Sequence, residues 1–301
     1  MSTNTAKSPD ALFARFAKAF NDGSVNQLAE CFAPDAVLQH PMFGRVEGRD
    51  NILAAETGLF EAFTDINFEV RRVLRGVDWH AAHYLVRARQ CRDINLPNGD
   101  KLVNRDTTIE LVGADIFQLG ADGLIVEAHR YLDTGAMFAA LGAGTNLTAR
   151  ALNPSALGVS EGTPPAADAL VSAIKSAYEQ SDITAVADCY TADGVLIHPM
   201  AGELVGRTAI AAVEGMLVNC FSDIEFRVER VVQDGWWAVA ELTISATHST
   251  ALPTPDGGQI AATGRRVTDP VVQVFRLSPD CRMAYAERIF DTAGLVRQLL
   301  G

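Results

Sequence analysis

The apolar positions near the start of the chain fall at helical spacing. Leu12, Phe13, Phe16 and Phe20 share one stripe, with Ser8 where an N-cap is needed and Pro9 in the first turn. Asn21-Asp22-Gly23 ends that helix. Val25, Leu28 and Phe32 predict a short second helix broken at Pro34-Asp35, then a brief strand from Ala36 to Gln39 that runs into His40-Pro41. A third helix is predicted from Arg49 to about Phe63, with Ile52, Leu53, Leu59, Phe60 and Phe63 on its buried side. After Asp65 the period changes to two: Ile66, Phe68 and Val70 alternate with Asn67, Glu69 and Arg71, as in a half-buried strand. Strands from Trp79 to Gln90 and from Leu102 to Val112 flank Pro97-Asn98-Gly99-Asp100, whose Asn-Gly pair suits a hairpin turn. A further hairpin joins Asp115–Leu119 to Leu124–Leu132 through Gly120-Ala121-Asp122-Gly123. Three helices followed by a twisted, mostly antiparallel meander predict an α+β fold: a cone, helices closing one face of a curved sheet, with an apolar interior and one open end.

The pattern occurs twice. HPMFGRVEGR from His40 lies over HPMAGELVGR from His198, an offset of 158 residues. The register holds without a gap: Cys31 over Cys189, Asp65-Ile66 over Asp223-Ile224, Trp79 over Trp237, and Asp133-Thr134 over Asp291-Thr292. Phe68 in the first strand of the meander finds its match in Phe226. The predicted organisation is therefore two tandem cone-shaped domains, 1–141 and 166–301, with residues 142–165, rich in Gly, Ala, Ser, Thr and Pro, as a linker. A duplication puts two sheet faces on one chain, so the halves are expected to pair as an intramolecular pseudo-dimer, with further homo-oligomerisation left open.

Composition narrows the partners. A net charge of −12 and no Lys/Arg run interleaved with aromatics argue against nucleic acid. No stretch reaches the roughly 18 uninterrupted apolar residues of a membrane span, and MSTNTAKSPD lacks the apolar core of a secretory signal, so a cytoplasmic protein is expected. The five cysteines form no CxxC pair and read as reduced, apolar fillers.

In the second half, Ala246-Thr247-His248-Ser249, Ala262-Thr263-Gly264-Arg265-Arg266-Val267 and Val274-Phe275-Arg276-Leu277 resemble the THTG…TGRRV…IFRV run of SnoaL-like proteins. The closing Asp291-Thr292-Ala293-Gly294-Leu295 with Gln298-Leu299 is similar to the DTxGLxxQL ending of that group. The resemblance, to the nuclear transport factor 2-like superfamily with its SnoaL-type polyketide cyclases and ketosteroid isomerases, covers nearly all of both halves. It implies the cone fold, but that fold hosts many chemistries.

In ketosteroid isomerases an Asp-Pro-Val segment after the second helix supplies a general base; the matching segments here are His40-Pro41-Met42 and His198-Pro199-Met200. Imidazole titrates near 6.5, and burial against Phe43 or Met42 favours its neutral form. Those isomerases also use a protonated carboxylic acid against the enolate. Asp115, eight positions before Gly123, has that arrangement, whereas the second half carries Gln273. Where SnoaL-like cyclases place a catalytic aspartate on the last strand, this chain has Arg130 and Arg288. A guanidinium is no base; inside a cone it binds a carboxylate or enolate, or pairs with Asp115 across the hairpin. His83, Arg87 and Arg89 share one strand face, where the second half has Glu241, Ser245 and Thr247; if that face looks inward, the first pocket is richer in histidine and arginine and the second in hydroxyl and amide groups. Each residue also has a plain structural reading: a histidine fixed before proline, a solvated strand-end carboxylate, a surface ion pair.

The resulting expectation is a cofactor-independent, metal-free acid–base enzyme, an isomerase or lyase performing isomerisation, dehydration or aldol-type cyclisation on a hydrophobic small molecule. His40, Asp115 and His198 are the catalytic candidates; Arg130, Arg288, His83, Arg87, His248 and Gln273 are the substrate-binding ones. The alternatives are a non-catalytic small-molecule binding or interaction module, and an epoxide hydrolase or cyclase.

Overall fold

The computed structural model describes residues 8–95, 101–143, 162–255 and 257–301. The chain divides into two compact units, 1–144 and 145–301. In the first, α1 (Pro9–Asn21) and α2 (Val25–Ala29) precede β1 (Phe32–His40), β2 (Gly44–Glu47) and α3 (Arg49–Ala62). There follow β3 (Phe63–Arg75), β4 (Trp79–Gln90), the short pair β5 (Ile94–Asn95) and β6 (Lys101–Leu102), then β7 (Thr108–Leu119), β8 (Ile125–Leu132) and α4 (Thr134–Ala140). One six-stranded sheet runs β2-β1-β8-β7-β4-β3, antiparallel except where β1 meets β8.

The second unit repeats this with α5 (Ala167–Glu179), α6 (Ile183–Asp188), β9 (Tyr190–His198), β10 (Gly202–Val205) and α7 (Arg207–Cys220). Its remaining elements are β11 (Phe221–Asp234), β12 (Trp237–His248), β13 (Leu252–Pro253), β14 (Gln259–Ile260), β15 (Arg266–Leu277), β16 (Met283–Ile289) and α8 (Thr292–Leu300). The sheet order β10-β9-β16-β15-β12-β11 is the same, again with one parallel pair, β9 with β16. Both units are α+β domains with helices on a mostly antiparallel sheet, as the periodicity implied.

Ser8 caps α1 by accepting the Ala11 N–H at 3.2 Å. The stripe it starts puts Leu12, Phe13 and Phe16 fully inside, packed with Phe32, Phe68, Tyr84 and Phe117 from the sheet. On α3, Leu59 and Phe60 stay partly exposed because they line a cavity.

Two local expectations are corrected. The second helix stops at Ala29, and Phe32-Ala33-Pro34-Asp35 already belong to β1. Proline is tolerated there because Pro34 and Asp35 are exposed and the pairing with β8 is interrupted between Phe32 and Val37. The strands expected as Leu102–Val112 and Asp115–Leu119 are instead the two-residue β6 and one continuous β7 through Gly113. That glycine marks a close approach: a Cβ on it would stand 2.4 Å from Tyr84 Cε2 on the paired residue of β4. The second unit has Leu242 opposite Val271 at these places. The hairpin turn at 97–100 lies outside the described residues, as does most of the 142–165 linker.

Candidate functional site

Each unit keeps a partly open apolar cavity between its helices and the sheet, about 90 Å³ in the first and about 130 Å³ in the second. Both are smaller than the closed apolar cavity of roughly 150 Å³ that takes up benzene, but being partly open they leave room for a ring to extend beyond the enclosed space. Aromatic and aliphatic side chains make most of both walls. The polar groups that interrupt them include the same three residue types in each: His40, Glu56 and Arg130 in the first, His198, Glu214 and Arg288 in the second.

His40 ends β1, where the hairpin to β2 begins, and is 4% exposed. Its ring lies 4.7 Å from that of Phe43, and its Nδ1 accepts the Met42 N–H at 3.1 Å. His198 is built alike, with Met200 N–H donating to Nδ1 at 3.2 Å and 1% exposure. Burial holds both imidazoles well below their usual pKa, and the charge of the neighbouring arginine adds to it. A neutral ring whose Nδ1 accepts must carry its proton on Nε2. Nε2 of His40 is buried with no hydrogen-bond partner among the described residues.

Arg130 on β8 sits directly opposite Asp115 on β7, and this register makes the pair. Its Nε and Nη2 each donate to the Asp115 carboxylate at 3.1 Å, its Nη1 pairs with Glu56 of α3, and the guanidinium lies over Phe16 at 5.6 Å. Tyr84 donates its hydroxyl to Asp115 Oδ1 at 2.7 Å. Burial alone would lower the arginine pKa; attraction from Asp115 and Glu56 outweighs it and raises the value, so Arg130 is charged. Asp115 does not line the cavity. It stands behind Arg130 and fixes it, instead of facing the ligand space as an oxyanion donor would.

In the second unit Gln273 faces Arg288 across β15 and β16 and accepts from its Nε and Nη2 at 3.2 and 3.1 Å. Glu214 of α7 takes Nη1 at 2.9 Å, and Arg288 Nη2 reaches the Tyr178 hydroxyl at 3.1 Å. Gln273 too lies behind the arginine. One guanidinium is therefore held by two carboxylates in the first cluster and by one in the second.

The other expected ligand-binding residues are elsewhere. On β4 the cavity is lined by Tyr84, Val86 and Ala88, so alternation turns His83, Arg87 and Arg89 to the other face. Arg87 pairs with Glu110 at 2.7 Å at the surface, and His83 is buried away from the cavity. His248 closes β12, accepts the Thr263 N–H on Nδ1 at 3.3 Å and backs onto Phe221, a lining residue, without lining the cavity itself. The expected imbalance of histidine and arginine is thus absent: each cavity wall has one of each.

Glu56 and Glu214 were not anticipated, although their identity at the 158-residue offset was a usable signal. Tyr178, on the wall where the first unit has Phe20, and Asp269, where it has Leu111, were missed as well. Asp269 is held by Gln298 Nε2 at 2.9 Å, and its pKa is raised to about 7 by burial, with Asp291 adding to the rise and the Gln298 bond opposing it. Among the described residues no three His, Cys, Asp or Glu side chains group as a metal site, and no helix is long and apolar enough to cross a membrane.

Among solved structures the chain is similar to TsrD from Streptomyces laurentii, at 23% identity over 44% of this chain and 93% of that one, TM-score 0.39. It is similar to wild-type IdmH from Streptomyces antibioticus, at 24% identity over 45% and 99%, TM-score 0.38. A third is a protein with a ketosteroid isomerase-like fold from Catenulispora acidiphila, in complex with trimethylamine, at 14% identity over 46% and 96%, TM-score 0.38. No curated protein matches the chain. The family model described as the SnoaL-like domain matches residues 13–128 and again 171–286. The chain belongs to the SnoaL-like domain family and carries that domain twice in tandem.

Proposed function

We propose that each cone binds a hydrophobic small molecule bearing a carbonyl or hydroxyl group, and that the protein is a cofactor-independent acid–base enzyme acting on it by isomerisation, dehydration or aldol-type cyclisation. The observation that carries this reading is the recurrence of one buried His, Glu and Arg on the wall of an apolar cavity in both units. In a dry cavity a fixed donor aimed at a carbonyl stabilises developing negative charge without reorganisation. The histidines fit that role better than the general-base role, since Nδ1 is committed to a backbone N–H and Nε2 has a proton to give. The arginine offsets the charge of the glutamate beside it, and Asp115 or Gln273 keeps the arginine in place. In this reading the proton-accepting group is a carboxylate.

The rival is a binding module without chemistry. It is favoured by Arg130 and Arg288 standing on the last strand, where the cyclases this chain resembles have an aspartate. Both readings need ligand in the cones. Saturation-transfer NMR with cyclohexanone on the full chain is expected to show binding. His40→Phe with His198→Phe, which keeps the apolar volume and removes both Nε2 donors, should weaken it roughly three- to tenfold, as for lost hydrogen bonds. No binding, or binding indifferent to the double substitution, would contradict the proposal.

A further inference from the structure

We propose that Asp269 is the catalytic proton acceptor and donor, and that the second cone alone turns substrate over, while the first, with Leu111 in that place, holds ligand without reacting it. The inference rests on the reading of the cones as carbonyl-binding acid–base sites.

Asp269 lies on β15 between Val267 and Val271, all three lining the second cavity. A carboxylate on an apolar wall is costly unless it is hydrogen-bonded, paired or protonated. It is held: Gln298 of α8 accepts the Thr268 N–H on Oε1 at 2.8 Å, which turns its Nε2 toward Asp269 Oδ1 at 2.9 Å. The other carboxylate of that cavity is ion-paired: Glu214 accepts from Arg288 Nη1 through Oε2 at 3.2 Å, and its Oε1 lies 2.9 Å from the same nitrogen. The remaining charged or titratable groups around the space are His198 from β9, Arg288 from β16, Tyr178 from α5 and Asp291 at the N-cap of α8. β12, paired with β15, contributes Ile244 and Ala246 to the wall. Burial and Asp291 leave Asp269 divided between its protonated and ionised forms near neutral pH, the condition that suits a general base which must also return its proton.

The step balances without a co-reactant. The C–H bond next to the carbonyl breaks and its proton passes to Asp269. The electron pair moves onto the carbonyl oxygen, and the enolate accepts the hydrogen bond from His198 Nε2. Asp269 then gives the proton to another carbon, completing an isomerisation, or to a departing β-hydroxyl, which leaves as water.

The test is α-proton exchange of cyclohexanone in D2O, followed by NMR on the full chain, beside saturation-transfer binding of the same ketone. Asp269→Asn and Asp269→Leu are expected to slow exchange by at least about 100-fold, the lower end of the effect of a lost general base. Ketone binding should stay within about threefold in both. Wild-type exchange should rise with pH and level off above about 7. Normal exchange in both variants would overturn the proposal, as would a wild type that binds the ketone without exchanging it; in that second case the binding reading stands. Absence of binding would instead bring down the underlying reading and the inference with it.

Discussion

Glu56 and Arg130, 74 residues apart in the chain, form a buried ion pair, and Glu214 repeats it with Arg288 at the same separation. The pairs differ in what stands behind the arginine, a carboxylate in the first unit and an amide in the second. Removing one partner of a buried pair leaves an uncompensated charge and costs about 3–5 kcal/mol. Arg130→Leu strands two carboxylates, Arg288→Leu one. Urea denaturation should therefore show a larger loss for Arg130→Leu, and equal losses would contradict the cluster as described.

Both buried histidines should resist protonation. Their folded pKa lies below the unfolded value near 6.5, so the unfolded chain takes up protons first as the solution is acidified. The stability this provides is present above about pH 6.5 and is lost as the pH falls toward the folded pKa. Nitrogen-15 NMR should find His40 and His198 neutral at pH 6 with the proton on Nε2, and His198→Phe should flatten the loss of thermal stability between pH 6.5 and 5. A protonated Nδ1 on either ring would refute the donor assignment.

Asp269 has the opposite sign. Its pKa is raised on folding from 3.8 to about 7, so the folded state holds the proton more tightly and this group's contribution falls as the pH rises through that window. Asp269→Asn keeps an acceptor for Gln298 and abolishes the slope. The variant should gain more in melting temperature over wild type at pH 8 than at pH 5; a pH-independent difference would show that the carboxylate is already ionised at low pH.

Gly113 and Tyr84 should behave as a unit. Gly113→Val forces a side chain into the Tyr84 ring and should cost about 1–3 kcal/mol, as overpacking does. Tyr84→Leu, which recreates the Leu242–Val271 pairing of the second unit, should recover part of that loss. Additive effects of the two substitutions would contradict a direct contact.

The elements were legible because their periods are clean: the Leu12 to Phe20 stripe and the Phe68 alternation place helix and strand without help. The 158-residue register made the duplication plain. Sites were less legible, for a physical reason. Whether a strand residue faces the cavity depends on parity, and β4 carries polar side chains on the face away from it, so His83 and Arg87 drew the reading outward from Tyr84. Glu56 sits within a helix whose other buried positions are apolar, and only its partner, 74 residues on, explains it. Asp115 was singled out for its spacing to Gly123, but of the roles open to it the one the hairpin register supplies is the pairing with Arg130 that the sequence also offered.

The central claim is that each cone receives an oxygen-bearing apolar ligand against its histidine. A crystal structure of the full chain with 4-nitrophenol tests it most directly. The account expects one ring in each cavity, its phenolic oxygen within hydrogen-bond distance of Nε2 of His40 in the first and of His198 in the second. Two empty cavities, or rings bound with the oxygen turned away from both histidines, would contradict it.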